Sequence, residues 1–145
     1  MKYTFRLSDH FTLNELIHSE KADELGIDNT PDIYALYCLQ TLCLIVLEKV
    51  RILLNAPVVS HSGYRCPELN TKVGGQPTSQ HQKGQADDFH VEEYTVKETF
   101  DKIRDSDIPY DQLIHERQNG REWVHISFDP DKQVQRHMAF QLNKT

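Results

Sequence analysis

Two imidazoles and a carboxylate can hold a divalent metal, and this 145-residue chain offers such a set. Ser79-Gln-His-Gln-Lys-Gly-Gln-Ala-Asp-Asp-Phe89 carries His81 and Asp88 seven residues apart, a spacing that suits a loop running into a strand, with Gly84 and Ala86 small enough for close backbone folding. His125, in Glu122-Trp123-Val124-His125, is a third donor. Three protein ligands with a fourth position open is the arrangement of a catalytic zinc and not of a structural one. Glu122 adds a carboxylate of the kind that accepts a proton from an attacking water. The scattered Cys38, Cys43 and Cys66 lack the paired spacing of a closed structural site and read as reduced thiols. A single histidine in a strand is most often a packed residue; three ligands and an acid together outweigh that reading.

Strand parity sharpens the choice. On a regular strand Asp88 and His90 share a face while Asp87 points away, so His90 competes for a place in the ligand set. By the same rule Trp123, His125 and Ser127 share a face, and Glu122 reaches their side only if it precedes the strand or sits at a bulge.

The elements that must position these groups are readable from caps and periodicity. Thr12-Leu-Asn-Glu15 is a capping box opening a short helix that ends near His18 to Ala22. Thr30-Pro31 starts a long helix, with Leu36, Leu39, Cys43, Val46, Leu47, Val50 and Leu54 recurring at three and four. Val58 to Tyr64 reads as a strand, Cys66 to Val73 as one or two helical turns, and Ala86 to Val91 as a second strand. Thr95-Val-Lys-Glu98 opens another helix to about Ser106. Tyr110 to His115 and Trp123 to Phe128 then flank a hairpin turn at Gln118-Asn119-Gly120, and Gln133 to Gln141 is a candidate edge strand. Together these predict an α+β fold, a small antiparallel sheet with N-terminal helices packed on it, in a single domain over residues 1–145.

Composition narrows the function classes. Apolar residues make up 38% and charged residues 26%, as in ordinary soluble domains. A net charge of −6 without a stripe of Lys and Arg disfavours nucleic acid as partner. The apolar window Ile33 to Leu54 contains Gln40, Glu48, Lys49 and Arg51, which predicts a core helix and no membrane partner. The first residues lack an apolar signal segment, so synthesis in the cytoplasm is expected, and a monomer.

In chain order, Ser62-Gly63-Tyr64-Arg65, Leu69-Asn70, Val73-Gly74-Gly75, Ser79-x-His81-x-x-Gly84-x-Ala86-x-Asp88, Asp111-Gln112-Leu113-Ile114 and Trp123-Val124-His125-Ile126-Ser127 form a series of motifs. This series resembles the compact zinc D-Ala-D-Ala carboxypeptidases and peptidoglycan endopeptidases of peptidase family M15, over roughly Phe11 to Phe128. The resemblance implies a hedgehog/DD-peptidase-like fold and one zinc ion held by His81, Asp88 and His125. It implies Glu122 as general base and then general acid, and Arg65 as the group that stabilises substrate or oxyanion. Ser79 would orient a ligand or bind substrate. Tyr64 and Trp123 are candidate substrate-side aromatics, although such rings more often pack in a core or line a cleft. Glu116, just after the Asp-Gln-Leu-Ile motif, is a rival acid ranked below Glu122. The implied activity is hydrolysis of peptidoglycan stem peptides, as a D-Ala-D-Ala carboxypeptidase or an L-Ala-D-Glu-type endopeptidase, with a phage or prophage lysis enzyme acting on the wall after release as one setting. The alternative is a zinc-containing binding domain without catalysis, as in the related hedgehog signalling domains. That alternative gains if Glu122 and Glu116 both point away from the metal.

Overall fold

A computed structural model describes residues 5–145, and several of its helices begin where side chains satisfy free backbone N–H groups. A two-stranded ribbon, β1 (Arg6–Ser8) and β2 (Phe11–Thr12), leads into α1 (Leu13–Ile17), where the Thr12 side chain accepts from the Glu15 N–H. The helix stops earlier than its periodicity suggests because Ser19 caps a separate one, α2 (Glu20–Leu25), by accepting from Ala22. The long helix starts at Ile33 and not at Pro31, since Asp32 is the cap and accepts from the Ala35 N–H. It runs as α3 (Ile33–Leu42), a π-helical turn (Cys43–Leu47) and α4 (Glu48–Leu54). By length and composition this helix is apolar enough to cross a membrane; here it packs Leu39, Leu42, Cys43, Val46, Leu47 and Val50 completely into the core.

The main sheet has five strands in the order β3-β4-β6-β5-β7. β3 (Val58–Ser62), β4 (Ala86–Val91), β6 (Arg121–Ser127) and β5 (Gln112–Gln118) pair antiparallel. β7 (Met138–Lys144) joins the β5 edge in parallel, later and in a different sense than a simple antiparallel meander would give. Between β3 and β4 lie α5 (Pro67–Lys72) and a 3₁₀ turn (Gln80–Lys83), and α6 (Val96–Arg104) follows β4 behind a full Thr95–Glu98 capping box. The fold is α+β, with a small antiparallel sheet and a larger mixed one.

Register fixes two faces. Asp88 pairs with His125 and Ile114 pairs with His125 from the other side, so these residues share one face, joined by Trp123 and Glu116. Asp87, Phe89, Val124, Ile126, Leu113 and His115 occupy the other, which is covered by the helices. Phe89, Leu113, Val124 and Ile126 are wholly buried there, which is the main reason the strands cannot slip by one residue.

What ties β7 down is a buried carboxylate. Asp111 accepts from the Arg136 backbone N–H (2.7 Å), from Nε (3.0 Å) and from Nη2 (2.8 Å), and its own carbonyl accepts from the Met138 N–H. Burial alone would raise the Asp111 pKa, but the Arg136 hydrogen bonds and charge outweigh it and hold the carboxyl below its ordinary range.

Candidate metal centre

His81 sits in the 3₁₀ turn that Ser79 caps, with the Ser79 hydroxyl accepting from the His81 N–H at 3.2 Å. The turn ends at Gly84, which adopts φ +72° against α3; a Cβ there would come within 2.4 Å of the Ala35 carbonyl oxygen. Only glycine satisfies both the left-handed conformation and the close approach. The His81 ring is then oriented by its far nitrogen, since Nδ1 donates to the Gly63 carbonyl at 2.7 Å and leaves the Nε2 lone pair directed at Asp88. Gly63 is itself required by space, because a Cβ would meet the Leu16 carbonyl oxygen at 2.3 Å.

Three donor atoms converge. Asp88 Oδ1 lies 3.3 Å from His81 Nε2 and 2.9 Å from His125 Nδ1, and all three ligand atoms fall within 4.8 Å of one another. Bonds of about 2.0–2.1 Å to a tetrahedral zinc put neighbouring donors roughly 3.3 Å apart, so the cluster has the dimensions of a zinc site. Its protonation fits as well. Burial lowers the His81 pKa against the opposing pull of Asp88, favouring the neutral, ligating imidazole. Asp88 is largely desolvated, which would raise its pKa, but its pairing with His81 and His125 outweighs burial and holds the carboxyl well below its ordinary range. The His81–Gly63 bond is the outer support that metal-bound imidazoles characteristically have. The residues present therefore fit a zinc ion.

His90 faces the same side as Asp88 but is engaged elsewhere: its Nδ1 lies 2.6 Å from His61 Nε2, with the two rings stacked. It does not join the cluster. Asp87 points away, as parity predicts, and is buried with Oδ1 accepting from the Ser60 hydroxyl at 2.5 Å.

The two carboxylates change places relative to expectation. Glu122 lies inside β6, because regular pairing begins at Gln118↔Arg121, one step earlier, and no bulge intervenes. Its side chain is consequently on the face opposite His125, 39% exposed, with Oε2 accepting from Arg117 Nε (2.9 Å) and lying 3.3 Å from His115 Nε2. Glu116 pairs with Trp123 in the register, shares the ligand face, and brings Oε1 to 4.0 Å from His125 Nδ1. The expectation that Glu122 precedes the strand or sits at a bulge is thus corrected by register. His115, next to Glu116, faces α6 and lies against Phe100, so it takes no part on the ligand side.

Arg65 is held by a backbone bond from its N–H to the His81 carbonyl (3.0 Å), and burial lowers its pKa while the fields of Asp88 and Glu116 raise it. Arg65 Nε and Trp123 Nε1 are buried donors without an acceptor. Tyr64, expected on the substrate side, is only 7% exposed and belongs to the core, its N–H donating to the Leu16 carbonyl. A ring so packed has no surface to offer a substrate.

Asn29 was not singled out by its sequence context. Its amide nitrogen donates to the carbonyls of Ile17 and Tyr64 and its oxygen accepts from the Cys66 N–H, clamping the backbone on either side of Arg65. The only local signal was an Asn in a loop, which is ordinary for a turn.

A largely buried His/Asp/His cluster with a neighbouring carboxylate and arginine, carried on adjacent strands and a capped turn of an α+β fold, has the donor set of a metallohydrolase centre. The family model described as Peptidase M15 matches residues 9–127, and the chain belongs to the M15 peptidases, metallopeptidases that in general depend on zinc. No individually curated protein matches the chain.

Proposed function

We propose that this chain is a zinc peptidase that hydrolyses the stem peptides of peptidoglycan, with Glu116 as its proton-transfer group. The observation that carries the reading is that Glu116 Oε1 stands beside His125 on the face where His81, Asp88 and His125 converge. Membership of the M15 peptidases supports the reaction class.

His81 Nε2, Asp88 Oδ1 and His125 Nδ1 would hold one zinc ion. When bound, zinc supplies Lewis-acid polarisation of a peptide carbonyl and makes water nucleophilic near neutral pH. Glu116 takes the proton from the attacking water and delivers it to the departing amine, so that one water and one peptide bond become a carboxylic acid and an amine. Arg65, with a buried and unpartnered Nε, donates to the carbonyl oxygen as that oxygen gains charge. Ser79 acts through His81, whose turn it caps, and Trp123, the cross-strand neighbour of Glu116, carries a buried indole N–H without an acceptor that would serve a substrate carbonyl. The substrate bond is D-Ala-D-Ala or L-Ala-D-Glu, and action on the wall by a phage or prophage lysis enzyme is the biological setting that fits such an activity. Because Glu116 is on the ligand face, hydrolysis is favoured over a purely zinc-containing binding domain. Defined muropeptides incubated with zinc-loaded wild type and Glu116→Gln, followed by mass spectrometry, test the reading. Release of amino acid or peptide by wild type alone is expected; intact substrate with a zinc-replete wild type overturns it.

A further inference from the structure

The C-terminal strand lies beyond the family-matched stretch, yet it reaches the site. β7 runs parallel to β5 with Glu116 opposite Leu142 and Gln118 opposite Lys144, which puts Lys144 on the same face as Glu116, one diagonal step away. Its ammonium lies 2.9 Å from Glu116 Oε2. The other oxygen, Oε1, is the one turned toward His125. The carboxylate is thus gripped at one end and presented at the other. Glu116 is 7% exposed in its side chain whereas Lys144 is 42% exposed, so the pair has one buried partner and is less screened than an ion pair lying wholly in solvent.

We propose that Lys144 is a positioning residue for Glu116: β7 is a strap that fixes which oxygen of the proton-transfer carboxylate faces the metal ligands. The strap's register is set far from Lys144 by Arg136 just before the strand, whose Nε and Nη2 both donate to Asp111 Oδ2. Asp111 opens the Asp-Gln-Leu-Ile motif, and this assigns that motif a second use, docking β7. Arg136 Nη2 also donates to Gln80 Oε1 (3.5 Å), and Gln80 Nε2 donates to Gln85 Oε1 (3.1 Å), so the same arginine braces the turn that carries His81. Both sides of the site are thereby referred to one C-terminal anchor. The proposal rests on Glu116 being the proton-transfer group argued above.

The test uses the full chain as wild type, Lys144→Met, Lys144→Arg, Glu116→Gln and the Lys144→Met/Glu116→Gln double variant. Loss of an outer-shell partner that orients a reacting group costs roughly 10-fold or more in activity. With zinc loaded, Lys144→Met should lose about that factor in kcat on a defined muropeptide with KM nearly unchanged, and Lys144→Arg should recover most of it. In the Glu116→Gln background the same methionine should change nothing further. In metal-free protein the two single substitutions should be non-additive in melting temperature, and zinc affinity should be the same for wild type and Lys144→Met. An unchanged kcat in Lys144→Met, an equal loss in both backgrounds, or additive melting shifts overturns the proposal. The two failures separate: a zinc-replete wild type that leaves the peptide intact overturns the peptidase reading, whereas additive melting shifts overturn the pairing itself.

Discussion

The two faces of the main sheet carry nearly the same chemical groups and do different things with them. On one, Asp88, His125 and Glu116 stand beside His81 and Arg65, with the ligand atoms of His81, Asp88 and His125 converging on one point. On the other, Asp87, His115 and Glu122 provide two carboxylates and an imidazole that go into packing and ion pairing. Asp87 and Asp88 are adjacent in sequence, as are His115 and Glu116. The difference between the faces is what covers them. Helices bury one face in an apolar core, where a carboxylate is pushed toward its neutral form; the other is lined by a glycine-containing turn that lets lone pairs converge. Side-chain type therefore says little about role until the strand's parity is known.

The largest break in the comparison should come from substituting across Asp87 and Asp88. Asp88→Ala is expected to abolish stoichiometric zinc binding and all hydrolysis, whereas Asp87→Asn keeps both; metal content after dialysis decides it, and a zinc-free Asp87→Asn would erase the distinction between faces. Next comes the carboxylate pair. Glu116→Gln should retain zinc and lose about 10²–10⁴-fold in kcat, the range of a general acid-base group, while Glu122→Gln stays close to wild type. Steady-state kinetics on one muropeptide would reverse the assignment if the losses were exchanged.

Gly84→Ala sharpens the contrast in a different way, because its methyl would press on the Ala35 backbone and displace the turn bearing His81. A stability loss on the order of 1–3 kcal/mol, with weaker zinc binding, is expected from urea unfolding and zinc titration. The smallest effect is the pH dependence of Asp87. Burial raises its folded-state pKa well above the ordinary value, only partly countered by the Ser60 hydrogen bond. The unfolded chain releases this proton above about pH 3.9 and the folded one does not, so this position lowers stability as pH rises between the two values. Metal-free Asp87→Asn should accordingly melt above wild type at pH 7, with the gap closing toward pH 4. A constant gap across that range would show that the carboxyl is ionised in the fold.

Much of the fold was legible because its signals are local. The Thr12 and Thr95 caps, the hairpin at Gln118 to Gly120 and the buried face of the long helix each depend on neighbouring residues, and each is seen in the structure. The π-helical turn at Cys43 to Leu47 carries no such signal, since its residues are ordinary helix formers and the bulge is a matter of packing. Boundaries shifted for a comparable reason: Asp32 outcompetes Thr30 as cap only by where its carboxylate reaches.

The candidate trio was readable because metal chemistry demands particular side chains, and His81, Asp88 and His125, which the fold brings together, are identifiable by type and by motif spacing. The carboxylate proposed for proton transfer was not. Choosing Glu116 over Glu122 depends on where β6 begins pairing, a single residue of register that turns one side chain toward the ligands and the other toward solvent on the far face. Lys144 was still less accessible, because its approach to Glu116 requires β7 to dock in parallel, a long-range pairing set by Arg136 and Asp111. Residue types are local and determine what chemistry is available; the face each residue occupies and the partner it meets come from strand pairing between distant segments, and only the tertiary structure decides those.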